Sequence, residues 1–499
     1  MTPRGREAAA LALHRFGFGP CLRRDNYSLD AISTDPGGAL LADLERPNGG
    51  QLAVDLPSSA EAARVVSDFR AEQRARQKLA LRATKDAAAG AAESGMSDVA
   101  HIPATAMTAG PQPLDGKTPP LPQHIVRNEA AARFGAAVDS EIGFVERLVW
   151  FWSNHFCISA DKDIAMAGAY EREAIRPYVL CRFSDMLNAV ESHPAMLFYL
   201  DNVRSMGATS IDGINRDKGL NENLAREILE LHTLGVRSGY SQADVTSFAN
   251  VLTGWSRIDP AEPDHGGEFV FNKRLHEPGE KVVLAKSYAD DGVAQGRAVL
   301  ADLARHRSTA QHIAFKLARH FVADDPPPAL VAKLAKTFDA SGGNLTELAK
   351  TLVTAEESWA PQRTKLKPPS EWIVATLRIA KAAPASSGSV IDLRGPLSDR
   401  LDIGRLMNFQ AALGQPLWRP PAPNGWPDIE AAWIDGVPRR LGIANEIANR
   451  ARPNADPLES LEGSLGPLAS AETRQTIARA ESRTQAFALL MMTPESLRR

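Results

Sequence analysis

The sequence predicts a mainly α fold: a compact body of about 15–20 helices with one small β-hairpin. Three observations carry this. Apolar residues recur at helical spacing over most of the 499 residues, the connections between such runs are short, and alternating apolar–polar runs are nearly absent.

Taken in order, Ala60 to about Ala89 is charged and alanine-rich, which predicts a long exposed helix or hairpin arm. Residues 90–122 are rich in Ala, Gly and Pro and read as a flexible insertion within a single helical domain spanning 1–499. Ile125 to His155 predicts two helices, the second ending in Val149-Trp150-Phe151-Trp152. Ile164 to Asp201 supplies two more, interrupted near Pro177 and Pro194. Glu268–Asn272 and Lys281–Leu284 form the expected strand pair, joined across Pro278-Gly279. Val293 to Ala383 is helical again, Pro384 to Pro396 is a loop, and Gly414 to Asp428 is irregular and rich in Pro and Trp. A last helix ends near Met492, and no internal repeat is evident.

The most informative segment is Asn221 to Gly235, which places three carboxylates, an arginine and a histidine in one expected helix. Asn221 reads as its N-cap and Gly235 as its stop. Leu224, Ile228 and Leu231 make the apolar stripe, with Glu222, Arg226 and Glu230 opposite as a ladder of ion pairs. Glu227 falls about 60° from the stripe and His232 about 80° on its other side, so both are drawn toward the core. A carboxylate so placed needs a partner. Ser241 to Asp244 then reads as a capping box opening a second helix, with Val245, Phe248, Ala249 and Leu252 on its inner face. Trp255 comes next, placed either to line a mouth or to plug a core.

Composition narrows the function. Apolar content is 44% and the 57 basic against 60 acidic residues give a net charge of −3, which offers no basis for nucleic-acid binding. There is no apolar run of transmembrane length and no signal-peptide pattern, so the sequence alone reads as cytoplasmic. Cys21, Cys157 and Cys181 are too scattered for a disulfide framework. Nucleotide-binding, zincin and α/β-hydrolase motifs are absent, which leaves the cofactor open; the carboxylates are compatible with a divalent metal, but no site for one is legible from spacing.

Several of these segments carry a family resemblance. The run Asn221–Gly235, Tyr240, Asp244-Val245 and Leu252-Thr253-Gly254-Trp255 resembles the signature of the bacterial domain-of-unknown-function 1800 family. Leu13–Pro20, Trp152-Ser153-Asn154-His155-Phe156, Met196–Asn202, His276–Lys281, Gly425-Trp426-Pro427 and Met492–Glu495 are similar to further parts of it. Glu277 departs from the pattern, which leads to an expectation of aspartate there. The resemblance brings no reaction with it. It does imply pairing with an exported, sulfatase-like partner, which leaves periplasmic location by co-export open.

For chemistry, Glu227 is the expected acid or base, with Glu230 beside it and Asp201 facing it across helices as the other candidate catalytic groups. Glu222, Arg226, His232, His155, His276, Trp255 and Trp426 are the expected binding residues. At least two of His155, Asp201, Asn202, His276 and Arg204 are expected within hydrogen-bond reach of Glu227, Glu230 or His232. Two functions are consistent with this set: a hydrolase acting on a cell-envelope or extracellular polymer such as a polysaccharide, or a non-catalytic binding or export-partner protein in which these residues form a buried ion-pair network.

Overall fold

The computed structural model describes residues 4–21, 28–47, 49–93, 121–162, 165–214, 219–380, 402–451 and 453–499. Twenty-two α-helices lie among them. The number exceeds the pattern-based expectation because several, such as Leu29–Ile32 and Pro494–Leu497, are single turns too short to show periodicity. One apolar cluster joins residues from Ala8 to Leu497. Near its centre Phe16 meets Phe144, Phe321 and Trp359 with ring centroids 5.7, 6.1 and 5.5 Å apart. The helices Arg307–Phe321 and Pro328–Ser341 pack closely, as do Val437–Ala451 and Arg483–Met492.

The expected arm is a helix, Ser59–Glu93. Ala62, Ala63 and Val66 pack inward, whereas nearly every residue from Arg70 to Asp86 is exposed. Of the expected insertion at residues 90–122, residues 90–93 and 121–122 belong to helices and 94–120 lie outside the described residues, as does the expected loop at Pro384–Pro396.

The β structure differs from expectation. Glu268–Asn272 and Lys281–Leu284 do not pair with each other. Instead β1 (Trp255–Arg257) runs antiparallel to β2 (Phe269–Phe271), and β3 (Lys281–Val283) runs antiparallel to β4 (Lys286–Tyr288). Three-residue strands are too short to register as alternation. The β3–β4 turn uses Leu284 and Ala285 at φ 50° and 60°, where Asn-Gly is the usual signal. Trp255 is fully buried, and its ring lies so close to Gly296 that a Cβ there would meet it at 2.5 Å.

The segment beginning at Asn221 also departs from a plain α-helix. It is α from Asn223 to Glu227 and π from Ile228 to His232, and it ends at Thr233, whose φ −128° and ψ −93° leave the helix two residues before the expected stop at Gly235. The Asn221 side chain accepts from the Asn223 amide at 2.9 Å, although Glu222 holds the capping position. A π turn carries one extra residue and rotates the side chains beyond it around the axis. Leu229 and His232 therefore join Leu224 and Ile228 in the core, while Leu231 is only half-buried. The next helix, Gln242–Leu252, opens with the expected Ser241–Asp244 capping box.

Candidate functional site

The charged face of the Asn223–His232 segment is mostly tied to its neighbour helix. Glu222 accepts from Arg226 at 3.0 Å, Gln242 at 2.8 Å and Thr246 at 2.6 Å, bonds that pin this segment to the Gln242–Leu252 helix. Glu230 accepts a long bond from the Tyr240 hydroxyl at 3.4 Å. Glu227 stands apart. It is half-buried, and no hydrogen bond or ion pair reaches its carboxylate among the described residues. Burial pushes its pKa up; His232 and Arg226 pull it down, and Glu230 adds to the rise. Burial raises the Tyr199 hydroxyl and the Cys157 thiol, and the charge of Glu227 adds to both rises, the thiol reaching about 12.

The partners expected for this segment do not gather there. Of the five, only His155 arrives, and it reaches a backbone oxygen: its Nε2 donates to the His232 carbonyl at 3.1 Å. His312 Nε2 donates likewise to the Leu231 carbonyl at 3.0 Å. Two imidazoles thus cap carbonyls that the end of a helix leaves open. His155 Nδ1 accepts from Lys316 at 2.8 Å, so its ring is neutral, and burial with Lys316 holds its pKa well down. Burial also lowers Lys316, to about 8.

His232 finds a partner that sequence spacing did not suggest. Its Nδ1 donates to Glu191, a fully buried carboxylate at the end of the Phe183–Glu191 helix, at 2.8 Å. Asp201 is exposed and pairs with Lys162 at 2.7 Å, and among the described residues no hydrogen bond joins it to Glu227. Asn202 donates to the Leu252 and Trp255 carbonyls, both at 3.0 Å, and Arg204 is exposed. His276 donates to the Thr253 carbonyl at 2.9 Å. Glu277 accepts from the Thr209 amide and hydroxyl at 2.8 and 2.6 Å, so its longer side chain is used to hold a loop.

Of the expected binding residues, Trp426 lines a small cavity behind the Phe144–His155 helix. It measures about 90 Å³, and its walls include Arg133, Trp150, Asn154, Tyr170, Gln410, Gln415, Trp418, Trp426, Glu371 and Asp428. The Phe144–His155 helix supplies one wall and the irregular 414–428 stretch the other. Asn154 joins them: its Oδ1 accepts from the Trp426 amide at 2.8 Å and its Nδ2 donates to the Trp426 carbonyl at 3.0 Å. Gly425 is required at this closure. Its φ is +78°, and a Cβ there would lie 2.4 Å from the Asn154 carbonyl oxygen.

Two buried charge networks support the cavity. On one side Arg176 bridges Glu146 and Glu171 at 2.7 and 2.9 Å, and Glu171 also accepts from Arg133 at 2.8 Å. The Arg133 guanidinium lies 4.5 Å over the Trp150 ring and 5.9 Å from that of Trp418. On the other side His320 Nδ1 donates to Asp428 at 2.7 Å and its Nε2 accepts from Arg147 at 3.3 Å, a neutral tautomer. Burial outweighs Asp428 and holds His320 down at about 4. Burial would raise Asp428 and Glu371, yet both stay well ionised: His320, Lys365 and Arg499 outweigh it at Asp428, and Arg147 and Arg499 at Glu371. Neither carboxyl is poised to give up a proton near neutral pH.

Two residues of the lining carry unsatisfied polar atoms: among the described residues Gln410 Oε1 and Trp418 Nε1 are buried without a hydrogen-bond partner. Among the described residues no group of three or more His, Cys, Asp or Glu side chains is placed to hold a metal ion. None of the helices described is long and apolar enough to cross a membrane. Sequence reasoning pointed to Trp426 and to the segment holding Asn154. It missed Arg133, Gln410 and Glu371, which lie on helices with no motif to mark them, and it did not single out Gln415 or Arg147 within stretches it had marked.

Fold and site together define a mainly α protein built around an aromatic cavity with charged supports on both sides. The chain belongs to the family described as protein of unknown function (DUF1800), whose profile matches residues 11–498. No curated protein and no solved structure matches it.

Proposed function

We propose that the protein is a recognition module that takes one saccharide unit of a cell-envelope or extracellular polymer into the Trp150–Trp418–Trp426 cavity. The observation that carries this reading is the pair of unpartnered polar atoms, Gln410 Oε1 and Trp418 Nε1, on residues that line the cavity together with Trp150, Tyr170 and Trp426. A buried acceptor and a buried donor each cost about 1–3 kcal/mol when left unpaired. A polyhydroxylated ring offers both complements and an apolar face for the indoles. The sulfatase-like partner and co-export implied by the family resemblance fit a module that presents such a polymer to an enzyme.

Titration with a panel of monosaccharides and wall fragments, followed by intrinsic tryptophan fluorescence, tests this. Saturable quenching is expected with at least one sugar, and its loss is expected in Gln410→Met and Trp418→Phe. A flat response to every sugar in the panel would remove the proposal.

A hydrolase reading keeps one specific support, the unpaired carboxylate of Glu227 with its raised pKa. It requires turnover of the polymer that Glu227→Gln abolishes while the fold persists. A wild type that leaves every polymer intact would exclude it, and degradation that survives Glu227→Gln would exclude Glu227 as its acid or base.

A further inference from the structure

The long helix Ser59–Glu93 has two halves of opposite charge. From Arg70 to Asp86 it carries six basic residues against Glu72 and Asp86, in a chain whose net charge is −3. At about 100° per residue, Arg70, Arg74, Lys78, Arg82 and Lys85 fall within an arc of about 120° that contains no acid. Among the described residues Arg70, Lys78 and Arg82 have no side-chain partner, and Arg74 bonds only to the Arg70 carbonyl, at 3.3 Å. Like charges at this spacing disfavour a helix by a few tenths of a kcal/mol per pair, so the stripe opposes the stability of the element that bears it. Leu79 and Leu81 are exposed and lie about 160° apart around the axis, so they form no apolar face suited to a lipid surface.

The root of the same helix is acidic. There a surface groove is lined by Asp55, Glu61, Asp68 and Glu262. All four are exposed, and Glu61 also accepts from the Ser58 amide and hydroxyl. The groove's one base, Arg64, is engaged with the Gly266 carbonyl at 2.9 Å.

We propose that the arm docks a second copy of this chain, the two Ser59–Glu93 helices crossing antiparallel about a two-fold axis. Each basic distal half then lies on the partner's acidic root. An axis between Ala71 and Glu72 sets Arg82 opposite Glu61 and brings Arg74 beside Asp68, and the same contacts repeat in reverse. Self-complementarity of this kind is what a closed two-fold dimer requires, and the unpaired charges of both halves are neutralised together.

Sedimentation velocity of the full chain tests this at low and high salt. The wild type should be a dimer at low salt and dissociate as salt rises, because the contacts are exposed ion pairs. Arg74→Glu/Lys78→Glu/Arg82→Glu should be monomeric with an unchanged helical circular dichroism spectrum, and so should Asp68→Lys/Glu262→Lys. Mixing the two variants should restore the dimer, since each then offers the other a complementary half. A wild type that stays monomeric at low salt overturns the proposal, whatever polyanion the arm then captures. A dimer indifferent to both charge reversals overturns it equally.

Discussion

Replacing Arg176 by methionine should cost the protein about 3 kcal/mol or more of stability. Arg176 is 1% exposed and neutralises two buried carboxylates at once. Without it Glu146 keeps one neutral donor, the Trp150 indole at 3.1 Å. Glu171 fares better, retaining Arg133 at 2.8 Å and the Ser153 hydroxyl at 2.7 Å. Removing one partner of a buried pair costs about 3–5 kcal/mol, because a desolvated charge is left behind. The surviving Arg133–Glu171 pair places the loss toward the lower end, and most of it falls on Glu146. Methionine preserves much of the aliphatic stem, so lost packing contributes little. Chemical denaturation followed by tryptophan fluorescence reads the change. Adding Glu146→Gln to Arg176→Met should recover part of the loss, since the stranded charge is then gone, and the double-mutant cycle gives the coupling. A loss below about 1 kcal/mol, the range of exposed pairs, would refute the claim that this network is desolvated and supports the cavity wall.

Acid should weaken the fold through its buried histidines. His320 and His312 are both held at about 4 against an ordinary 6.5, mainly by burial. The unfolded chain therefore binds protons more readily, so their contribution is complete above pH 6.5 and is lost as pH falls toward about 4. His320→Asn keeps a donor for Asp428 and should flatten the denaturation midpoint across that window; an unchanged slope would show that His320 titrates normally. Glu227→Gln should leave the melting temperature unchanged or raise it slightly, because no ion pair is broken and a carboxylate with a raised pKa is removed. A fall of several degrees would mean that Glu227 is held by contacts of structural weight.

The helical fold was legible because its signal is local. The Ser241–Asp244 capping box, the arm from Ser59 and the Trp150-bearing helix each announce themselves within a dozen residues. The π turn at Ile228–His232 does not, since an extra residue leaves composition untouched while moving Leu231 outward and Leu229 inward. That rotation is why the apolar stripe was right at Leu224 and Ile228 and incomplete thereafter. Site residues divide in the same way. Trp426 and Asn154 stand in irregular or motif-like stretches that draw attention. Gln410 and Arg133 sit on ordinary helices, and only the tertiary fold makes them neighbours. Glu191, the partner of His232, lies 41 residues away and carries no sequence mark of being buried.

The clasp between Asn154 and Trp426 spans 272 residues of chain. Contacts of such separation form late, because the entropy of closing the intervening loop must be met before they contribute anything. Secondary structure and much of the aromatic centre can therefore assemble while the cavity still has one wall. Closure of the proposed saccharide site then becomes a clock for the last stage of folding. In a refolding experiment, helical signal should recover before any ligand-dependent change in Trp426 fluorescence, and a cell that degrades slow-folding chains would be selecting, in effect, for molecules in which this clasp has closed.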